Sequence, residues 1–363
     1  MNCAIRYILS FALCLSVMAE LAATHVAGGS MTYRCLGNSR YEISLEFRRD
    51  CFNGAMDAQF DRFASVTIFN SDNQLMVNLG AGGELRIPFI EDDTLNERIT
   101  SVCNVIGEDV CIQTTVYRDT VILPERPGGY ILAYQRCCRN NATVNVSDPL
   151  NTGATYWVRI TEKALQECNN SPVFDNLPGV FLCVNDTLRF DHSASDSDGD
   201  SLVYFLCTPS AGASEPDPMP QPSNPPPFEP IEWAPGFSEN NMMGGSPISV
   251  DQNTGQLLAV PNQIGIFLIG ICVREYRDGV LLSEVRRDFQ YAVRVCGRAP
   301  IAAFQPDSYL KCDGLDIQFE NNSTSNFLPI DSITYEWTFD YPVGDLTSTE
   351  VSPLFSFPES GLY

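Results

Sequence analysis

Tyr41-Glu42-Ile43-Ser44-Leu45-Glu46-Phe47 alternates apolar and polar residues without a break. That period of two belongs to a strand with one face buried and one face wet. Further β-rich runs occupy residues 65–69, 114–123, 130–137 and 155–160, and Pro127-Gly128-Gly129 is a turn leading into one of them. No segment sustains a 3.6-residue period, and only residues 161–168 offer a short helix. The expected fold class is all-β, with short strands and regular turns that suit sandwich architecture.

The chain has fourteen cysteines among 363 residues. Arg6 precedes an apolar stretch at 8–18, followed by Leu21-Ala22-Ala23. This three-part pattern predicts an export signal over residues 1–23 and a mature chain beginning near Thr24. The apolar stretch is shorter than the ~20 residues needed to span a bilayer, and no later stretch reads as a transmembrane helix. Cys3 and Cys14 leave with the signal, so twelve cysteines remain, and export makes disulfides the expected chemistry. The spacings do not suit zinc: there is no CxxC pair, and His25 and His192 are the only imidazoles. Neighbours on a strand point to opposite faces, which predicts different partners for Cys137 and Cys138. Connectivity stays open. The formal charge of −23 repels phosphate backbones and argues against nucleic acid as a partner. It suits either divalent cations or solubility alone.

Three regions are expected. Residues 24–167 form a Cys-rich all-β domain. Residues 168–298 form a second β domain with a proline-rich loop at 209–235, which includes Pro225-Pro226-Pro227. Phe228 and Trp233, with Phe237 just beyond, either present a binding face or pin that loop to its domain; pinning is the favoured reading. Asp278-Gly279 between two long apolar runs signals a hairpin. Residues 299–363 form a third region, in which Tyr335-Glu336-Trp337-Thr338-Phe339-Asp340 is strand-like and aromatic. The last residues, Ser360-Gly361-Leu362-Tyr363, read as a turn entering a strand, so a terminal strand is expected beyond them.

With these residues in view, the third region resembles a PKD domain, an immunoglobulin-like sandwich. Tyr335, Trp337 and Phe339, then Gly361 and Tyr363, match its aromatic core and its closing Gly-Thr-Tyr. Thr338, Asp340 and Tyr341 depart from its Asp-Phe-Gly-Asp loop, so no function of that loop is carried over. The second region resembles cadherin-like or immunoglobulin-like modules through Asp196-Ser197-Asp198-Gly199-Asp200-Ser201-Leu202, then Asp251-Gln252-Asn253-Thr254-Gly255-Gln256-Leu257, then Pro261 and Gly265. Phrases of the first region, such as Met31-Thr32-Tyr33-Arg34-Cys35, Arg49-Asp50-Cys51-Phe52-Asn53-Gly54 and Gln135-Arg136-Cys137-Cys138-Arg139-Asn140, are similar to the N-terminal part of large secreted surface proteins of gliding Bacteroidetes. The resemblance implies tandem immunoglobulin-like β-sandwich domains, a secreted or cell-surface location, and a role in adhesion or surface-associated motility. The partner would be an extracellular protein or glycan.

Asp196, Asp198 and Asp200 form the candidate metal site. In an extended segment alternate residues project to one side, so the three carboxylates could aim at one cation, with Gly199 permitting a bend. Calcium, a hard ion taking six to eight oxygens, fits that donor type. The competing reading is a solvated acidic turn. No catalytic set is recognisable. His25 lies at the mature N-terminus, His192 reads as a polar loop or strand-end residue, and no Gly-x-Ser-x-Gly elbow occurs. Leu79-Gly80-Ala81-Gly82-Gly83 lacks the Lys-Ser/Thr ending of a P-loop and reads as a hairpin tip. Sequons at Asn141, Asn145, Asn185, Asn321 and Asn322 mark possible surface sites. A non-catalytic module is the expected function. The rivals are the non-catalytic leader of a larger secreted hydrolase, and a glycan-binding module that stacks sugars on Trp233.

Overall fold

In the computed structural model the described residues are 26–52, 59–95, 104–105, 111–179, 181–245, 248–295, 297–298, 302–305, 314–324, 334–339 and 346–359. The export signal and His25 lie outside them. The described chain is all-β, built mainly from antiparallel sheets. It divides into two compact units, one within Met1–Glu97 and Asp109–Arg294, the other within Arg98–Glu108 and Val295–Tyr363.

The strands run in chain order as β1 (Val26–Cys35), β2 (Arg40–Asp50), β3 (Phe63–Asn70), β4 (Glu84–Pro88), β5 (Asp92–Leu95), β6 (Asn104–Val105), β7 (Ile112–Ile122), β8 (Tyr130–Arg136) and β9 (Ala154–Ile160). They continue as β10 (Val173–Phe174), β11 (Phe181–Cys183), β12 (Leu188–Asp191), β13 (Ala194–Ser195), β14 (Ser201–Leu206), β15 (Ser249–Val250), β16 (Gln256–Ala259), β17 (Gly265–Arg277) and β18 (Val280–Arg294). A single turn of helix, Glu162–Gln166, follows β9, and the Thr161 side chain caps it by accepting from the Ala164 amide.

A sheet ordered β4-β3-β8-β9-β18-β1-β2-β7-β5 dominates the first unit. It folds over on itself: β4, at one end, lies against β7, near the other. Tyr41, Ile43, Leu45 and Phe47 of β2 point inward as the alternation requires. The Phe47 ring meets Tyr134 of β8 and Tyr156 of β9 edge-on, with both centroids 5.8 Å away, which marks the two layers of the first core. A second core lies between β14-β17-β18 and the small sheet β12-β16-β15, where Phe267, Ile269, Ile271 and Val273 of β17 meet Leu257 and Ala259 of β16.

Both cores depend on β18. One edge pairs with β17 along its length. The opposite edge is used in succession by β9 at Val285, β1 at Arg287 to Phe289, and β11 at Ala292 to Arg294. The boundary expected at residues 167 and 168 therefore falls inside one continuous sheet, and the first unit ends at Arg294 rather than 298. The proline-rich loop ties the regions further. Its Ser223 amide donates to Thr67 Oγ1 and its Asn224 amide to Gln135 Oε1, each at 2.8 Å. Phe228 tilts onto Trp157 of β9 at 5.7 Å, Phe237 packs on Phe267, and Trp233 is half-buried against the second core and against a small cluster of Val146, Ile231 and Leu268. These aromatics pin the loop, and the stacking platform on Trp233 is thereby already in use.

Asp278 and Gly279 both adopt positive φ and join Arg277 to Val280 as a two-residue hairpin, as the sequence indicates. Residues 79–83 likewise lie in turns of the connection between the paired strands β3 and β4. Gly28 and Gly29 lie within β1. In the fold a Cβ at Gly28 would stand 2.4 Å from the Asp288 carbonyl, and one at Gly29 would stand 2.5 Å from that of Glu46. Only glycine lets β1 slide between its neighbours.

Disulfides join Cys35 to Cys168, Cys51 to Cys111 and Cys207 to Cys272, and Cys183 is disulfide-bonded as well. Cys137 and Cys138, expected to find separate partners, are bonded to each other. The segment is not an extended strand there: the peptide between them is cis, and their Cα atoms lie 3.0 Å apart. Asn145, a possible surface sequon, is fully buried; its amide donates to the carbonyls of Met242 and Leu268 at 2.7 and 2.8 Å, so it clamps two segments.

The second unit contains β6, paired with β19 (Gly297–Arg298), and β20 (Phe304–Gln305), β21 (Asp316–Gln318), β22 (Glu320–Asn321), β23 (Trp337–Phe339), β24 (Leu346–Ser348) and β25 (Leu354–Ser356). Trp337 and Phe339 share a face of β23, stacked within 6° of parallel, and Phe339 stacks on Phe355 at 4.2 Å. Gly361 and Tyr363, which complete the PKD resemblance, and Asp340 and Tyr341, which depart from its loop, lie outside the described residues.

Candidate acidic site

The turn between β13 and β14 gathers the three aspartates. Asp196 Oδ1 accepts from the amides of Asp198 at 3.0 Å and Asp200 at 2.8 Å, which closes the turn on its own first residue. Gly199 has φ +82°, with no heavy atom near an added Cβ, so backbone conformation alone selects glycine. Convergence thus arises from a closed turn rather than from the alternation of an extended segment.

A fourth carboxylate joins them. Glu275 of β17 lies opposite Leu202 of β14, and Asp196, Asp198, Asp200 and Glu275 each offer an oxygen within 4.8 Å of the others. That spacing is about the span between opposite ligands on calcium at 2.3–2.6 Å per bond. Glu275 was not singled out from the sequence, although a signal existed: it occupies the inward phase of β17, two residues beyond Val273, where an apolar residue is expected.

One guanidinium organises the cluster. Arg277 grips Asp200 with two bonds of 2.7 and 2.6 Å, and reaches Glu167 at 2.8 Å and the Asn169 side-chain oxygen at 2.9 Å. Asn170 donates its backbone amide and side chain to Asp198, at 2.8 and 2.9 Å. The acidic turn is thereby fastened to the segment that follows Cys168. Asp196 Oδ2 is buried and accepts no bond among the described residues.

Hydrogen bonding to Arg277 holds Asp200 below the usual carboxylate range. Glu275 moves the other way, to about 8, because burial disfavours its charge, a hydrogen bond to Asp200 favours its protonated form and Asp196 adds repulsion; bonds from Ser283 and Asn169 offset only part of this. Glu275 therefore carries the proton of the pair at neutral pH. The folded chain holds that proton more tightly than the unfolded chain. The resulting stabilisation is complete below pH ~4.5 and is lost as pH rises toward ~8. In a chelator, thermal melts at rising pH should show Glu275→Gln gaining on the parent across that window. A constant difference between the two proteins would refute the assignment.

His192 does not behave as a polar loop residue. It follows the end of β12, is fully buried, and lies against Phe190 at 4.6 Å and Phe289 at 5.0 Å. Neither ring nitrogen has a partner among the described residues. Burial, with Arg287 and Arg48 nearby, pushes its pKa down to about 2, so the ring is a neutral aromatic filler.

No protein-family model and no curated protein matches the chain. Among solved structures, a chain from "Structural basis for Dscam isoform specificity" aligns over 93% of this chain and 67% of its own length, at 11% identity and a TM-score of 0.17.

Proposed function

We propose that this chain is a non-catalytic, extracellular adhesion-type module, of the kind found at the N-terminal end of the gliding-bacterial surface proteins it resembles. The observation that carries the reading is the cross-linking: Cys35–Cys168, Cys51–Cys111 and Cys207–Cys272 join distant segments of one fused, two-core body, and Cys137, Cys138 and Cys183 are oxidised as well. Such bonds persist in an oxidising, extracytoplasmic setting. No helix among the described residues is long and apolar enough to cross a membrane. The charge of −23 keeps such a body soluble and holds other strongly negative macromolecules at a distance. Free-thiol counting by mass spectrometry on natural material tests the location, with nearly all of the mature sulfhydryls expected to be oxidised. Mostly reduced cysteines would end the reading.

Within that function, Asp196, Asp198 and Asp200, joined by Glu275 once the ion displaces its proton, would hold a calcium ion that stiffens the β13–β14 turn. The closed geometry and the unpartnered Asp196 Oδ2 support this. Arg277 competes for Asp200, so the affinity belongs with extracellular modules, at Kd ~10⁻⁴–10⁻³ M. A tenfold excess of calcium over Kd should then add ~1.4 kcal/mol of stability. Calcium titration should show heat, and Asp198→Ala should abolish both the heat and the calcium-dependent rise in Tm. An absence of heat in the parent protein rules the ion out.

A further inference from the structure

A cavity of about 350 Å³ opens on the outer face of the first sandwich, over β1, β2 and β7, and is walled by Phe174 and by Arg287 of β18. Its size lies within the ~300–1,000 Å³ of ligand sites. In a chain of charge −23 the local balance is reversed. Arg34 and Arg118 share Glu42, at 3.2 and 3.8 Å. Arg48 and Arg287 share Glu46, at 2.7 and 3.5 Å. Three guanidiniums, Arg34, Arg118 and Arg287, thus line the cavity against two carboxylates, and Arg48 braces Glu46 from behind. Burial pushes Glu46 toward the neutral form, but Arg48 and Arg287 more than offset it, so Glu46 stays ionised.

Arg287 is the anomaly. Its side chain is 3% exposed, it lies 4.2 Å above the Phe174 ring, and its Nη1 donates to the Asn176 carbonyl at 2.8 Å. Its Nε is buried and donates to nothing among the described residues. A buried guanidinium with an unused donor at the wall of a cavity is a group that lacks an acceptor. The remaining lining is mixed: Ser30, Thr32 and Ser44 bring hydroxyls, and Val116 and Val173 bring exposed apolar surface.

We propose that this cavity binds an acidic glycan through the carboxylate of a uronate ring. The carboxylate meets the arginines in the charge-assisted geometry that guanidiniums favour. The ring hydroxyls donate to Glu42 and Glu46, and the C–H face of the sugar rests on Val116 and Val173. A polyacidic peptide fits less well, because it brings no ring hydroxyls to Glu42 and Glu46 and no C–H face to Val116 and Val173. The assignment is independent of whether the chain mediates attachment.

Calorimetric titration of the full chain with trigalacturonate tests this, with maltotriose, acetate and poly-L-glutamate as comparisons. Trigalacturonate should bind at least about tenfold more tightly than maltotriose and should weaken with salt. Arg34→Ala and Arg118→Ala remove exposed side chains, so the fold should persist while affinity falls about five- to tenfold each. Unaltered affinity in both variants, equal binding of maltotriose, or full competition by equimolar acetate would overturn the site. Tighter binding of poly-L-glutamate would overturn the glycan assignment in favour of an acidic peptide.

Discussion

Replacing Arg139 by alanine should destabilise the chain by about 3–5 kcal/mol, a large share of the stability of a domain of this kind. The Arg139 side chain is fully buried, and its Nη2 lies 2.7 Å from Oδ2 of Asp288, which is 7% exposed. The pair joins the segment after Cys137-Cys138 to the middle of β18, where both cores meet. Arg139 Nη2 also donates to the Ser210 carbonyl at 3.4 Å, but Arg139 Nε and Nη1 and Asp288 Oδ1 find no partner among the described residues, so the ion pair carries most of the compensation for burying the two charges. Alanine at 139 would strand the Asp288 carboxylate in a dry interior. Urea denaturation of the variant measures the loss. Arg139→Met combined with Asp288→Leu should recover most of it, because apolar replacements of similar size remove both desolvation costs. A loss below ~1 kcal/mol for the alanine variant would mean that water reaches the pair.

The second large effect belongs to the Cys35–Cys168 bridge. It closes a loop with a sequence separation of 133, longer than the 60 of Cys51–Cys111 or the 65 of Cys207–Cys272. The chain-entropy estimate for such a loop is ~5 kcal/mol, and the nested bridge at Cys51 lowers it, so Cys35→Ser with Cys168→Ser should lose about 3–4 kcal/mol. The bridge also anchors the residues after the helix. The Asn170 side chain accepts from the Cys35 amide at 2.9 Å, and the Ser171 hydroxyl accepts from the Tyr33 amide at 2.9 Å. Loosening that segment should also loosen Asn169 and Asn170 around the acidic turn. Amide exchange at residues 196–200 should therefore speed up in the double variant. If stability falls while exchange there stays fixed, the bridge and the acidic turn are not coupled.

Local signals were the most legible. The alternation in β2, the Asp278-Gly279 hairpin and the short helix after β9 each depend on neighbours a few residues apart, and each forms as its pattern indicates. What could not be read depends on partners far along the chain. Nothing local to Gly28-Gly29 announces the close approach of Asp288 and Glu46 that requires both glycines. The expected boundary after residue 167 fails because β18 supplies an edge to strands on both sides of it. The aspartates of the acidic turn could be named, but Glu275 stands well over seventy residues away and joins them only through the register of β14 on β17. Cys137-Cys138 defeats an argument that assumes extended geometry.

The placement of β1 has a consequence for the order of events in synthesis. Its Ser30 pairs with Arg287, about 250 residues later, so the first strand made lacks one neighbour until nearly the whole unit has been translated. A nascent polypeptide in this arrangement carries an open β edge through most of its production, and such an edge templates adventitious pairing. Chaperone retention until residue 294 has emerged is the natural safeguard, and truncation anywhere before β18 should leave a product prone to aggregation rather than a smaller folded piece.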